Sequence, residues 1–347
     1  MNIADLLSIR FPIVQAPMAG SQGSDLAAAV CTAGGLGSLP AAMRTASGLR
    51  SELMKLRGLT DGPFNVNFFC HEQPRPDLER ERAWRQTLLP YYREYGIDPD
   101  WKYTTNSRAP FSAEAAEVLE KFQPDVVSFH FGLPSPELFA RAKRTRAKIL
   151  CSATTVAEAV WLEQQGVDAI IAQGLEAGGH RGMFLTADLT TQVGTFALVQ
   201  QIVRAVKVPV IAAGGIADAK GVAAARKSGA AGVQIGTAYL FCPEATPAKL
   251  HRAALRSAAA EHTACTNLFT GRPARGIVNR LMRELGPIHA SAPAFPLAGA
   301  ALSPLRAAAE AQGKNDFTQL WAGQNARSCR EMPAAELTRE LAAGWTL

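Results

Sequence analysis

The apolar positions of the chain fall into short unbroken runs, separated by longer stretches in which apolar residues recur at helical spacing. Runs at 13–18 (IVQAPM), 36–40, 64–69 (FNVNFF), 126–131, 149–153, 169–172, 208–213 and 233–239 read as short buried strands, and the run Ala169–Ala172, free of alternation, predicts burial on both faces. The stretches between them carry helix punctuation. Ser24 or Asp25 can cap a helix through Ala33 that Gly34-Gly35 closes, and Thr154 or Thr155 can cap one over 156–165 that Gly166 stops. Further helices are predicted over 47–58, 112–122, 134–144, from past Gly194 to Val206, and from an Asp218 cap to Ser228. Eight buried strands, each followed by a helix, predict an α/β fold in which the strands close into a parallel barrel. An open doubly wound sheet would carry G-x-G-x-x-G after its first strand, whereas that turn reads APMAGSQGSD.

Two stretches break the rhythm. Residues 70–111 are too long for an ordinary connection and hold a charged helical run over 78–95, so they read as an insertion after strand three. Beyond Phe241 too many residues remain for one more strand–helix unit. The expected organisation is a (β/α)8, or TIM, barrel over 1–242 and a segment over 243–347 packed over the barrel's mouth and side. Helices are predicted there at 248–261, 277–284 and 336–342.

Bulk properties narrow the function classes. Of 347 residues, 48% are apolar and 19% charged, a globular composition, and the formal charge is only +6. The denser basic stretches, 80–85 and 141–148, fall on helical sequence and read as solvated faces, so neither nucleic acid nor membrane is an expected partner. The six cysteines lie far apart with no C-x-x-C pair, which argues against a zinc site or a disulfide framework. The start MNIADLLSIRFPIV has no signal-peptide core and no run approaches ~18 apolar residues, so a cytoplasmic location is expected. No P-loop, G-x-S-x-G or H-E-x-x-H occurs, which weakens NTPase, hydrolase and zincin readings.

Candidate chemistry gathers at the predicted ends of the strands. Gly178-Gly179, Gly214-Gly215 and Gln234-Ile235-Gly236-Thr237 follow or lie within consecutive late strands, where backbone amides and a threonine hydroxyl could cradle a phosphate. The alternative is tight turns without a ligand. Gln173 and Asn67 end strands six and three, and their amides suit the edge of a flat heterocycle such as an isoalloxazine ring, or equally the satisfaction of loop backbone. Pro17-Met18-Ala19 could floor such a ring or simply pack. His180, directly behind a glycine pair, places a group titrating near neutrality at the same rim. His130 in SFHFG ends strand four there too, with flanking Phe129 and Phe131 expected to point away from it by strand alternation. His71 opens the insertion and is a lesser candidate; His251, His262 and His289 have no informative context. These histidines lack a carboxylate pattern, so no metal is expected.

QAPMAG at 15–20, AGGLGSLPAA at 33–42, FNVNFF at 64–69, AQGLEAGGHRG at 172–182, PVIAAGGIAD at 209–218 and VQIGTAYL at 233–240 together resemble the nitronate monooxygenase family, formerly the 2-nitropropane dioxygenases. FTGRPARG at 269–276 and LWAGQ at 320–324 resemble its bacterial class I branch. The resemblance implies a TIM barrel holding FMN non-covalently. Pro17, Met18 and Ala19 would lie at the ring with Asn67 and Gln173 as polar partners, and Gly178, Gly215, Gln234, Gly236 and Thr237 at the phosphate. His180 matches the family's active-site histidine and His130 would be a second. The implied reaction is oxidation of alkyl nitronates such as propionate-3-nitronate: an electron passes to FMN, O2 reacts, and a carbonyl product and nitrite form. Whether His180 donates to an anionic substrate or acts as a base on a neutral nitroalkane is open. The expected partners are a small-molecule substrate and O2, with a homodimer left open. Flavin-dependent enoyl-acyl carrier protein reductases and NAD(P)H:quinone reductases share several of these segments, so an NAD(P)H-dependent reductase is the alternative. SFHFG, the insertion and LWAGQ favour the monooxygenase. One departure is Phe295, where the family commonly has a tyrosine nearby, and loss of that hydroxyl could alter substrate preference.

Overall fold

In the computed structural model, which describes residues 3–99, 101 and 108–346, eight parallel strands form a nearly closed ring. They are β1 (Ile13–Gln15), β2 (Gly37–Pro40), β3 (Phe64–Phe69), β4 (Val126–His130), β5 (Lys148–Ala153), β6 (Ala169–Gln173), β8 (Val210–Ala213) and β9 (Gly232–Ile235), in the order β1-β9-β8-β6-β5-β4-β3-β2. β1 and β2 meet through one parallel bridge, Val14 to Leu36, which brings the ends of the sheet together. The fold is the expected TIM barrel.

Helices lie between the strands: α2 (Ser24–Ala33), α3 (Ala46–Leu59), α5 (Ala113–Phe122), α6 (Pro136–Arg144), α7 (Val156–Gln165), α8 (Thr195–Ala205) and α9 (Ala219–Lys227), while α1 (Ile3–Leu7) precedes β1. The capping side chains explain most boundaries: Thr155 Oγ1 accepts from Glu158 N at 3.2 Å and Asp218 Oδ1 from Gly221 N at 2.8 Å. The start of α2 differs from expectation. Neither Ser24 nor Asp25 caps it; Gly23 holds the cap position, and the amide and hydroxyl of Ser24 donate to the Glu52 carboxylate of α3 at 3.0 and 2.6 Å. The acceptor arrives from the neighbouring helix, which a local motif cannot reveal.

Other corrections concern strand ends. The first strand stops at Gln15, so Pro17-Met18-Ala19 is loop. The last stops at Ile235, where Gly236 (φ −113°, ψ −70°) turns the chain into a 3-10 turn, Thr237–Phe241. The seventh barrel strand starts at Val210 because Lys207 and Val208 donate their amides to Glu163 Oε1, outside the ladder.

The insertion contains α4 (Leu78–Glu94), close to the expected bounds; its positions 100 and 102–107 lie outside the described residues. The C-terminal part differs more. The helix expected over 248–261 is α10 (Lys249–Arg256) and a 3-10 turn, Ala258–Glu261, parted at Ser257, whose Oγ accepts from Ala259 N. The helix expected from 277 is α11 (Arg280–Leu285), capped by Asn279, because Ile277 ends a strand. The expected 336–342 helix is α13 (Ala334–Ala343), which packs on α2 and α9. Unforeseen are α12 (Gly299–Ala311) and a three-stranded antiparallel sheet. Its strands are β10 (Thr263–Thr266), β11 (Ala274–Ile277) and a two-residue strand, β7 (Gly179–His180). The glycine–histidine stretch is thus a strand edge seated on the C-terminal part, and not a free loop.

No helix among the described residues is long and apolar enough to cross a membrane. All six cysteines are free, and no cluster of His, Cys, Asp and Glu among the described residues could hold a metal ion.

Candidate active site

The barrel interior changes chemistry along its axis. At the N-terminal end Val14, Leu36, Val126, Leu150, Ala169, Ile171 and Ile211 pack with Ile3 and Leu7 of α1 into an apolar plug. Two residues further along their strands, the positions facing the same way are Ser128, Ser152, Gln173 and Ala213; beyond Ser128 comes His130. The plug keeps the bottom dry, so polar side chains converge at the C-terminal rim, where ligands of this architecture sit.

There a cavity opens, with about 1350 Å3 of empty space when the solvent at its open mouth is included. Pro17, Met18, Ala19, Asn67, His130, Gln173, Gly178, Gly179, His180, Gly214, Gly215, Gln234, Ile235, Gly236 and Thr237 all line it. Every residue singled out at these positions in the sequence therefore faces one space. Reasoning from sequence missed Arg108, Ser152, His251, Trp321, Gly323 and Asn325, which line it too. His71 does not: it is buried in an aromatic group, its ring 4.7 Å from that of Phe295, with neither nitrogen partnered among the described residues. Burial lowers it to about 4, so it is neutral.

One side of the rim suits an anion. Gly214 (φ +122°) and Gly215 (φ +72°) follow β8, and a Cβ at Gly214 would sit 2.7 Å from Thr195 Oγ1 and 2.9 Å from Ala177 N. Gly236 and Thr237 follow β9 next to it, at the start of the 3-10 turn. Residues of the C-terminal part bound this side: Gly323 N donates to Thr237 Oγ1 at 2.9 Å, and Asn325 Nδ2 to Gly215 O at 2.9 Å. Gly178 is required by the same approach, since its Cβ would lie 2.5 Å from Gly323 N. The buried Oε1 of Gln234 has no partner among the described residues, and Gln234 lines the cavity. An orphaned acceptor costs stability unless a ligand donor reaches it.

The other side carries the histidines. His180 Nε2 lies 2.9 Å from Thr270 Oγ1, and its ring packs against Phe295 (5.3 Å), Trp321 (5.5 Å) and Phe69 (6.1 Å). Burial, then the positive charge of Arg108, holds it well below its ordinary 6.5, so it is neutral. The Thr270 hydroxyl serves either tautomer: it accepts from Nε2–H while donating to Arg272 O, or donates to a bare Nε2. His180 can therefore offer an acceptor or a donor at its other nitrogen.

His130 has less freedom. Its Nε2 lies 3.2 Å from the carbonyl of His180, which can only accept, so Nε2 carries the proton and Nδ1 accepts from Ser152 Oγ at 3.0 Å. Burial lowers it to about 3. Phe129 points away as expected, but Phe131 does not: the strand ends at His130, Phe131 takes φ +72°, and its ring lies 4.5 Å from the His130 ring.

Gln173 is spent on loop backbone, donating to His180 O (2.9 Å) and accepting from Gly182 N (2.7 Å), which leaves one N–H and one lone pair. Behind it Arg181 is fully buried and donates to Gln173 O and Gly174 O, both at 2.7 Å, and to Gln192 Oε1 at 3.0 Å. Asn67 Nδ2 donates to Ser128 Oγ at 2.9 Å.

A family model described as nitronate monooxygenase matches residues 2–344. A nitronate monooxygenase of Paraburkholderia phytofirmans is 44% identical over 341 residues, covering 97% of this chain and 92% of the relative. Among solved structures, a nitroalkane oxidase from Streptomyces ansochromogenes superposes with a TM-score of 0.88 at 42% identity, over 99% of this chain and 97% of that one. FabK from Thermotoga maritima superposes with a TM-score of 0.75 at 28% identity, over 99% and 95%.

Proposed function

This chain belongs to the nitronate monooxygenase family of oxidoreductases, and from that premise we propose that it binds FMN in the barrel mouth and uses O2 to oxidise alkyl nitronates, such as propionate-3-nitronate, to a carbonyl product and nitrite. The observation that carries this reading is the polarity of the cavity. A rim of glycines and Thr237 on β8 and β9, suited to an anion, shares the cavity with a neutral histidine walled by aromatic rings.

The residues present fit FMN. Gly214, Gly215, Gly236 and Thr237 would hold its phosphate, and the orphaned Gln234 Oε1 would accept from one of its hydroxyls. Pro17, Met18 and Ala19 would lie along the ring, with Asn67 and the remaining N–H of Gln173 as polar partners. When bound, the flavin supplies the electron transfer and the reaction with oxygen. The chain's own part is orientation and electrostatics. Phe69, Phe295 and Trp321 exclude water around His180. His180, neutral and fixed by Thr270, offers a hydrogen-bonding nitrogen to the nitro group or the adjacent carbon. His130 and Gln173 position His180 by holding its carbonyl.

The reductase alternative is not favoured, since the nitronate monooxygenase model spans almost the whole chain. Purified protein should be yellow, release FMN on denaturation and consume oxygen with propionate-3-nitronate. Absence of oxygen uptake with every nitronate, despite bound flavin, overturns the proposal.

A further inference from the structure

Among the described residues the cavity wall contains no aspartate or glutamate and one arginine, Arg108. Its Nη2 donates to the neutral amide of Gln319 at 3.3 Å, and none of the ion pairs among the described residues includes it. Burial lowers its guanidinium only to about 10, so it stays charged at neutral pH. A partly desolvated cation without a counter-ion is a standing cost that an anionic ligand relieves.

The place of Arg108 separates it from the phosphate rim. Ala109 N donates to Ala42 O at 3.2 Å and Phe111 N to Phe69 O at 2.8 Å, which fixes this segment at the ends of β2 and β3. β3 stands four places from β8 in the eight-strand order, on the opposite side of the ring from Gly214 and Gly215. Arg108 shares its side with Phe69 and His180. A second cation, Arg272, is engaged elsewhere: it stacks over Phe131 at 4.1 Å, donates to Met183 O, and does not line the cavity.

We propose that Arg108 is a specificity-determining residue that pairs with a carboxylate at the far end of the nitronate substrate. The inference rests on the nitronate reading above. The planar guanidinium fork matches a carboxylate through two parallel N–H donors, and an acid-free wall offers the substrate no competing repulsion.

The test compares two nitronates with the same reacting group, propionate-3-nitronate and the uncharged-tail propyl-1-nitronate, in the FMN-loaded protein. Arg108→Gln should raise KM for propionate-3-nitronate by about ten-fold or more relative to its effect on KM for propyl-1-nitronate, which has no carboxylate to lose. Arg108→Lys should recover part of the loss, and flavin content should not change. Equal effects on both substrates, or an unchanged KM, overturn the proposal. Calorimetric binding of 3-nitropropionate separates this from the nitronate reading. If the unmodified protein oxidises neither nitronate yet binds 3-nitropropionate, and Arg108→Gln abolishes that binding, the carboxylate site stands while the nitronate chemistry falls. If Arg108→Gln binds it as tightly as the unmodified protein, the carboxylate site falls.

Discussion

The two cavity histidines differ in what their partners leave free. His130 has both nitrogens committed, to Ser152 and to a carbonyl, whereas His180 keeps one nitrogen uncommitted against the cavity. His180→Asn should therefore retain FMN while lowering nitronate turnover by roughly 10²-fold, the low end for a proton-transferring group; unchanged steady-state rates would remove it from the chemistry. The pH dependence follows from its environment. A histidine held below its ordinary 6.5 by burial and by Arg108 loses its proton before neutrality and stays neutral as pH rises. With a nitronate substrate, kcat/KM should be flat between about pH 6 and 8, and a step centred near 6.5 would contradict the neutral assignment. At this scale the sequence was informative near the C-terminal ends of the barrel strands, because strand order and alternation bring Asn67, His130, Gln173 and Gln234 to one rim, although Asn67 lies two residues before the end of β3 and not at it as expected. Arg108, Trp321 and Asn325 were hidden because their segments lie outside that repeat, and no local pattern says where such a segment returns.

Among the elements, the turn after β9 offers the cleanest probe of the phosphate rim proposed above. Gly215 has φ +72°, so any side chain there strains the backbone, but Gly236 has φ −113° and a Cβ would meet only Ala16 at 3.4 Å and Met18 Sδ at 3.8 Å. Gly236→Ala should leave thermal unfolding of the apoprotein nearly unchanged and lower the flavin-to-protein ratio; a full flavin complement would put the phosphate elsewhere. A second test concerns the insertion. Trp84 of α4 is fully buried among Leu302, Leu305 and Phe269, and its Nε1 donates to Ala298 O at 3.1 Å, just before α12. Trp84→Ala should cost about 3–5 kcal/mol in denaturant unfolding, and a loss below about 1 kcal/mol would mean the two elements are not coupled. The helix α12 escaped the sequence reading for a physical reason. It begins at a glycine and carries Pro304 inside, two residues that mark helix ends, and only packing against α4 overrides them. The β7–β11 pairing was likewise invisible, since two residues set no period.

For the whole molecule, the repeat of eight buried strands was legible because each strand is a short, mostly apolar run followed by helix punctuation. The segment after 242 was not, because its shape is dictated by the surface it covers. Thr270 holds His180, Gly323 and Asn325 bound the anion rim, Trp321 packs on the histidine, and α13 lies on the barrel's flank. We propose on these contacts that 243–347 acts as a cover over the mouth and side of a barrel spanning 1–242. Together these bound a cavity with Gly214, Gly215, Gly236 and Thr237 on one side and, among the described residues, Arg108 as the one lining arginine on the other, beside a neutral His180 packed among aromatic rings. The central claim, a flavin reduced by a nitronate in that cavity, is tested most directly by the absorbance spectrum of the purified protein, recorded anaerobically with propionate-3-nitronate and again after oxygen is admitted. The account predicts an FMN spectrum that changes on adding the nitronate and returns with oxygen uptake and nitrite release. A protein that cannot be loaded with FMN, or a bound flavin that ignores the nitronate and is bleached rapidly by NADH or NADPH, would contradict it.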